Sequence, residues 1–292
     1  MQATTNTDSR PTAVFIHVPK TGGSTLNGVI NRQYRSGEIM GVGFNHLESQ
    51  ARFLAMSDQD KGRIRCLRGH VAYGIQNHLP GPYCLVTILR NPVDRFLSEY
   101  KHLTGRSSKF IHYPPEALAS PRAHLEYRAS INSLNLQTAQ ISGYLTSGVI
   151  DGSPLEPLPD DALDKAKHNL ETFDIPGVLD RFDECLLLMK DALGWRKPIV
   201  SIRRNAAATR GQKLVISDEL RQKVAEATSL DMELYELACR LIDEKIAAAG
   251  PQLQAELEQL RRNNGLLYRI QRIYTGLMPR KLRQGARKLL GR

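Results

Sequence analysis

Apolar residues run from Ala13 to Val18 with only His17 between them, and the run then breaks into Pro19-Lys20-Thr21-Gly22-Gly23-Ser24-Thr25 before Leu26. A continuous apolar run suits a strand buried on both faces. The glycine-rich break and the helical spacing after it suit a loop whose backbone N–H groups face an anion at a helix N-terminus. The pattern recurs twice. Ile64 to Leu67 form a second short strand followed by Arg68-Gly69-His70, and residues 84 to 89 form a third, followed by Arg90 and by Pro92 at the start of a helix. Further along, residues 122 to 145 read as one helix, Asp160 opens another through Leu163, Ala166 and Leu170, and residues 173 to 194 read as strand, turn and amphipathic helix. Prolines and serines across 105–160 mark an insertion beside the cleft, where acceptor specificity is expected.

The chemistry follows from the strand ends. In the nucleotide triphosphatase loop GxxxxGK[ST] the lysine follows the glycines and a hydroxyl residue holds magnesium. Here Lys20 precedes Gly22 and Gly23, so the loop points to anion transfer without a required metal. Arg90 ends its strand and Ser98 falls eight residues later on the following helix, where both side chains converge on one phosphate. His70 projects from the end of its strand at the ligand-binding edge of an open sheet.

Three passages carry a family resemblance. HVPKTGGSTL resembles the 5′-phosphosulfate loop of sulfotransferases that use 3′-phosphoadenosine 5′-phosphosulfate (PAPS), in the branch with the heparan sulfate 2-O- and 6-O-enzymes. CLVTILRNPVDRFLSEY resembles the 3′-phosphate motif, and Gly69-His70-Val71-Ala72-Tyr73 is similar to the Gly-His-Val-x-Tyr of uronyl 2-O-sulfotransferases, whose histidine is the base. That branch carries a second histidine where this chain has Arg68. Residues 173–183 also echo the family, with Asp180 where glutamate is usual, and so does SLDMELYELA.

The resemblance implies a PAPS-dependent sulfotransferase of bacterial, soluble type on a P-loop-like three-layer α/β/α fold with a mostly parallel sheet. His70 would be the base, Lys20 the stabiliser of the leaving group, and Lys20, Thr21, Gly22, Gly23, Ser24, Thr25, Arg90 and Ser98 the cofactor contacts. Arg203, Arg204 and Arg210, in a late basic loop, are further contacts to the nucleotide, with Arg210 selected among them. The acceptor would be a hydroxyl of a carbohydrate or glycolipid, with no nucleic acid partner. The rival readings are a P-loop kinase using ATP and a non-catalytic polyanion- or membrane-binding protein on the same scaffold.

The remaining residues narrow this little. His17, inside an apolar run, reads as a packed core residue; His46 and His78 are reserves for substrate contact; the other histidines lack a metal-ligand spacing. The four cysteines are widely spaced with no CxxC pair; Cys66 and Cys84 fall in two strands that could be neighbours, and buried free thiols are the expectation for these two. The first ten residues lack an apolar signal core and no N-x-[ST] sequon occurs, which suits a cytoplasmic enzyme, with peripheral contact at the inner membrane surface as an option.

Charge divides the chain into a disordered start at 1–11, a catalytic domain at 12–250 and a basic helical tail at 251–292. The tail holds ten Lys/Arg against two Glu, whereas the rest holds thirty against twenty-eight. Leu253, Leu257, Leu260, Leu267, Ile270, Ile273 and Leu277 give the tail an apolar stripe, broken near Asn264-Gly265. Packing on the domain or on a second subunit, docking on anionic lipid, and gripping an acidic polymer are the three readings it allows.

Overall fold

The computed structural model describes residues 10–42, 46–105, 113–144, 154–201 and 214–277, without the side chains of 46–47 and 267–277. Five strands form one sheet: β1 (Thr12–Ile16), β2 (Ile39–Val42), β3 (Cys66–Gly69), β4 (Tyr83–Leu89) and β5 (Ile175–Val178). Their order is β2-β3-β1-β4-β5 and every pairing is parallel, so all five end on one edge. The apolar runs explain the position of β1 and β4 at the centre. Val14, Phe15 and Ile16 are at most 2% exposed and Leu85 to Leu89 are likewise buried, as strands covered on both faces require.

Eleven helices surround the sheet among the described residues, beginning with α1 (Gly23–Gln33), α2 (His46–Leu54) and α3 (Asp58–Lys61). Next come α4 (Pro92–Leu103), α5 (Pro121–Ser130), α6 (Leu136–Ile141) and α7 (Ala162–Glu171). The last are α8 (Phe182–Ala192), α9 (Asp218–Ala227), α10 (Ser229–Ala248) and α11 (Gly250–Leu277). From β1 the chain crosses toward β2, and from β4 it crosses the other way toward β5. Right-handed crossovers therefore put α1 and α4 on opposite faces and open a crevice at the carboxyl ends of β1 and β4. This is the three-layer α/β/α fold with a parallel sheet that the strand and helix signals predict.

Two local expectations are corrected. The single helix expected over 122–145 is two helices, because Asn132 adopts a left-handed φ of 53° and breaks the run after α5. Cys66 and Cys84 are buried free thiols, but both pair with Ala13 from opposite sides, so β1 stands between them. Burial pushes both thiols up to about 12, which keeps them unreactive. In the tail α11 runs unbroken through Asn264-Gly265, where the apolar stripe is interrupted, and continues to Leu277.

The first half of α11 packs on its own domain. Leu253, Leu257 and Leu260 are 3%, 3% and 6% exposed and belong to the main core. Polar bonds flank them: Lys190 donates to Glu256 at 2.5 Å, Arg261 to Glu184 at 3.3 Å, and Asn264 Nδ2 to Ser201 Oγ at 2.8 Å. No described helix is long and apolar enough to cross a membrane.

Candidate active site at the carboxyl edge of the sheet

The loop after β1 is conformationally unusual. Lys20 has φ 72° and Gly22 has φ 91°, so two residues of the turn are left-handed, one of them not a glycine. A side chain held there costs on the order of 1–2 kcal/mol. Alternation of this kind turns successive N–H groups to one side, the geometry of an anion-binding nest. Helix α1 continues the arrangement: Gly22 is its N-cap, no side chain caps it, and its first turn has no acidic residue. Its dipole therefore favours a negative group from outside.

The hydroxyls of the loop divide. Thr21 is fully buried and its Oγ1 donates to the Val18 carbonyl at 2.8 Å, so its hydroxyl braces the turn. Ser24 is exposed and Thr25 half-buried in the first turn of α1. Gly22 has to be small as well as left-handed: a Cβ there would lie 2.8 Å from Leu179 Cδ1, just beyond the end of β5.

Two cations meet at the β1–β4 crevice. Arg90, one residue past β4, donates from Nη1 to the Lys20 carbonyl at 3.1 Å. Burial, with the nearby Arg90 and Arg95 charges, lowers the Lys20 ammonium from its ordinary value against the opposing pull of Glu99. Burial likewise lowers Arg90, with Arg95 adding to it and Asp94 and Asp180 opposing. Cations desolvated beside a ring of N–H donors are best stabilised by an anion. Ser98 sits half-buried on the second turn of α4, whose N-cap Asn91 accepts from the N–H groups of Val93 and Asp94.

His70 lies one residue past β3, at the same edge. Its Nδ1 lies 2.9 Å from the His17 carbonyl, which only accepts, so Nδ1 carries the proton and the lone pair of the neutral ring is on Nε2. The ring stacks on His17 with centroids 4.6 Å apart. His17, read from the sequence as a core residue, is packed but stands at the wall of the site, between Phe15 and His70 and flush against Gly23. Burial first, then the His70, Arg68 and Lys20 charges, drive it down to about 3, so it stays neutral. Arg68, where the resembled branch has a second histidine, turns to α1 and donates to Asn27 O at 3.3 Å and Asn31 Oδ1 at 2.8 Å.

Helix α6, whose residues fall inside the stretch read as helical, holds these parts together, through two glutamines that no local pattern marks. Gln137 clamps the Arg90 backbone from both sides, accepting its N–H and donating to its carbonyl at 2.9 Å each. Gln140 Nε2 donates to the carbonyls of His17 at 3.0 Å and Val71 at 2.8 Å, bridging the ends of β1 and β3. The helix is capped from α10: Asp231, fully buried, accepts from the N–H groups of Gln137 and Thr138 at 3.2 and 2.7 Å and from Thr138 Oγ1 at 2.8 Å.

A buried ion cluster stands behind Lys20. Arg95, 1% exposed, donates to Glu99 at 3.0 Å, and Arg128 donates to the other oxygen of the same carboxylate and to Tyr113 OH. Both arginines hold Glu99 down at about 2 against the upward push of burial. Of the reserve histidines, His78 is exposed on a turn after β3 and the His46 side chain is not among those described. Arg203, Arg204 and Arg210 lie outside the described residues. Among those described, no three His, Cys, Asp or Glu side chains converge as a metal-ligand set.

A parallel five-stranded sheet with a strained glycine loop, an uncapped helix start and basic residues along its carboxyl edge defines a three-layer α/β protein of the sulfotransferase type. Residues 1–276 match the family model described as galactose-3-O-sulfotransferase. The chain belongs to that family and is a carbohydrate sulfotransferase. A comparison with curated proteins finds no match.

Proposed function

We propose that the protein transfers the sulfuryl group of PAPS to a hydroxyl of a carbohydrate or glycolipid, with His70 as general base and Lys20 stabilising the leaving group. The observation that carries this reading is the His70 Nδ1 bond to the His17 carbonyl, which leaves the basic nitrogen of a neutral imidazole as Nε2. The loop fits the donor's anionic ends: left-handed Lys20 and Gly22, the uncapped start of α1 and the desolvated Lys20 and Arg90 supply N–H groups and charge. PAPS supplies an activated sulfuryl group bound to a 5′-phosphate that leaves.

In this scheme Nε2 of His70 takes the proton of the acceptor hydroxyl as its oxygen bonds to sulfur. Charge growing on the departing 5′-phosphate oxygen is met by Lys20 and by the N–H groups from Gly22 to Thr25. Thr21 contributes its N–H, since its hydroxyl is committed to Val18. Arg90 and Ser98 hold the 3′-phosphate, and Arg210 is assigned to the same nucleotide. The family description supports a galactose 3-hydroxyl as the first acceptor, and the Gly69-to-Tyr73 likeness to the heparan sulfate branch supports a uronyl or hexosyl hydroxyl as the second.

The test is transfer of labelled sulfate from PAPS to a panel of galactosides, galactosyl lipids and uronyl saccharides. His70→Ala should lower kcat about 10²–10⁴-fold with little change in affinity for 3′-phosphoadenosine 5′-phosphate. More than half the wild-type rate in that variant moves the base elsewhere. Arg90→Ala should weaken the same nucleotide at least about tenfold and spare one lacking the 3′-phosphate, from the loss of a charge-assisted bond. Equal losses for both nucleotides overturn that assignment.

A further inference from the structure

A second concave site lies at the opposite edge of the sheet. A cavity of about 370 Å³ is lined by Arg10, Arg35, Arg65, Arg196 and Lys197, with Tyr34, Trp195 and a single acid, Glu38. Topology fixes its distance from the reaction. Arg10 lies two residues before β1 and Arg65 immediately precedes β3, whereas Lys20 and His70 follow those same parallel strands. The five residues of β1 alone separate the two edges by about 16 Å.

The lining is built for an anion. Glu38 is already engaged, because its carboxylate accepts the Arg35 backbone N–H at 2.7 Å. The floor is rigid: Arg65 Nη2 donates to the Arg10 carbonyl at 2.9 Å, and the buried Trp195 donates from Nε1 to Tyr34 OH at 3.0 Å. Arg35, Arg196 and Lys197 are exposed at the rim. Planar guanidinium forks match the oxygen geometry of sulfate esters and carboxylates, and a cavity of this volume admits a saccharide unit rather than a lone ion.

We infer that this cavity binds an anionic saccharide, a stretch of glycan already bearing sulfate or carboxylate groups, away from the hydroxyl being modified. The inference rests on the sulfotransferase reading in one respect: a sulfated carbohydrate is the polyanion that such an enzyme makes and meets again. Occupancy of this site would keep a long acidic chain on the protein between successive transfers.

The experiment compares a sulfated tetrasaccharide with its desulfated form by calorimetric titration of the full chain, in wild type and in the Arg35→Glu/Arg196→Glu double variant. Two exposed cations become anions, so the sulfated probe should lose at least about tenfold in affinity. The variant's affinity for 3′-phosphoadenosine 5′-phosphate and its kcat on a neutral monosaccharide acceptor should stay at wild-type values. Unchanged binding of the sulfated probe overturns the inference, as does equal binding of the desulfated one. If the variant instead loses attachment to phosphatidylserine vesicles and keeps the saccharide, the cavity is a lipid-headgroup site and the inference is again overturned. Absence of any sulfuryl transfer by the wild type would refute the catalytic reading, while the titration still decides the cavity.

Discussion

Gly23→Ala adds one methyl group at the point where helix α1 meets His17. A Cβ on Gly23 would lie 1.8 Å from His17 Nε2, 2.1 Å from Cε1 and 2.6 Å from Cδ2. Ordinary contact is about 3.5–4.0 Å, so ring and helix have to part by roughly 1.5–2 Å. The ring has little room, being stacked between Phe15 at 5.2 Å and His70 at 4.6 Å. Overpacking of this kind costs about 1–3 kcal/mol, of which the better helix propensity of alanine offsets at most about 1. The larger effect is on rate. The His17 carbonyl accepts from both His70 Nδ1 and Gln140 Nε2, so displacing His17 moves the acceptor that orients His70, the proposed base. A misplacement near 1 Å costs on the order of 10²-fold. Urea denaturation and sulfuryl transfer at saturating PAPS should show both losses. His17→Ala removes the ring but keeps the carbonyl, so the double variant should recover rate and stability relative to Gly23→Ala alone. Strictly additive effects, or a Gly23→Ala protein with wild-type kcat, refute the reasoning.

Three further outcomes are expected. His17 is held down to about 3 and His124 to about 4, both chiefly by burial, below the free-imidazole value of 6.5. The unfolded chain therefore binds more protons below pH 6.5, so this contribution to stability is complete above 6.5 and falls with pH. At pH 5 each histidine should have removed on the order of 2 kcal/mol, and His124→Phe should lower the slope of stability against pH between 6.5 and 5. An unaltered slope in that variant would show that His124 does not titrate on unfolding. Asp231→Ala leaves two buried N–H groups and the Thr138 hydroxyl without their acceptor and should cost about 2–4 kcal/mol in urea, with Asp231→Asn milder because Oδ1 survives. Equal losses for the two would exclude a capping role. Leu257→Ala should destabilise by about 2–4 kcal/mol at low and high salt alike, since its side chain is 3% exposed in the main core; loss confined to low salt would assign α11 an electrostatic role instead.

What was legible in the sequence was the part that local pattern encodes. Continuous apolar runs located β1 and β4, and the residues just past them, Lys20 and Arg90, stand at one edge because parallel strands all end there. His70 was placed by the same argument from β3. What was not legible depends on partners remote in the chain. Gln137 meets Arg90 across 47 positions, Gln140 meets His17 across 123, and Asp231 caps Thr138 across 93. Each is polar and buried, so hydropathy reads it as surface, and only the completed fold supplies the hydrogen bonds that make its burial tolerable.

Arg95 illustrates the same gap. Nothing in its spacing marks it as buried, yet it is 1% exposed because Glu99 and Arg128 close around it. The division has a physical consequence for the site. The charges that would meet an anion are set by short motifs, whereas the rigidity that keeps Arg90 and His70 in register is set by α6 and its cap from α10. A loop, a strand end and a histidine carried alone onto another parallel sheet would therefore reproduce the charge but not the geometry. Preorganisation, which supplies much of the rate in sites of this kind, resides in residues that no motif contains.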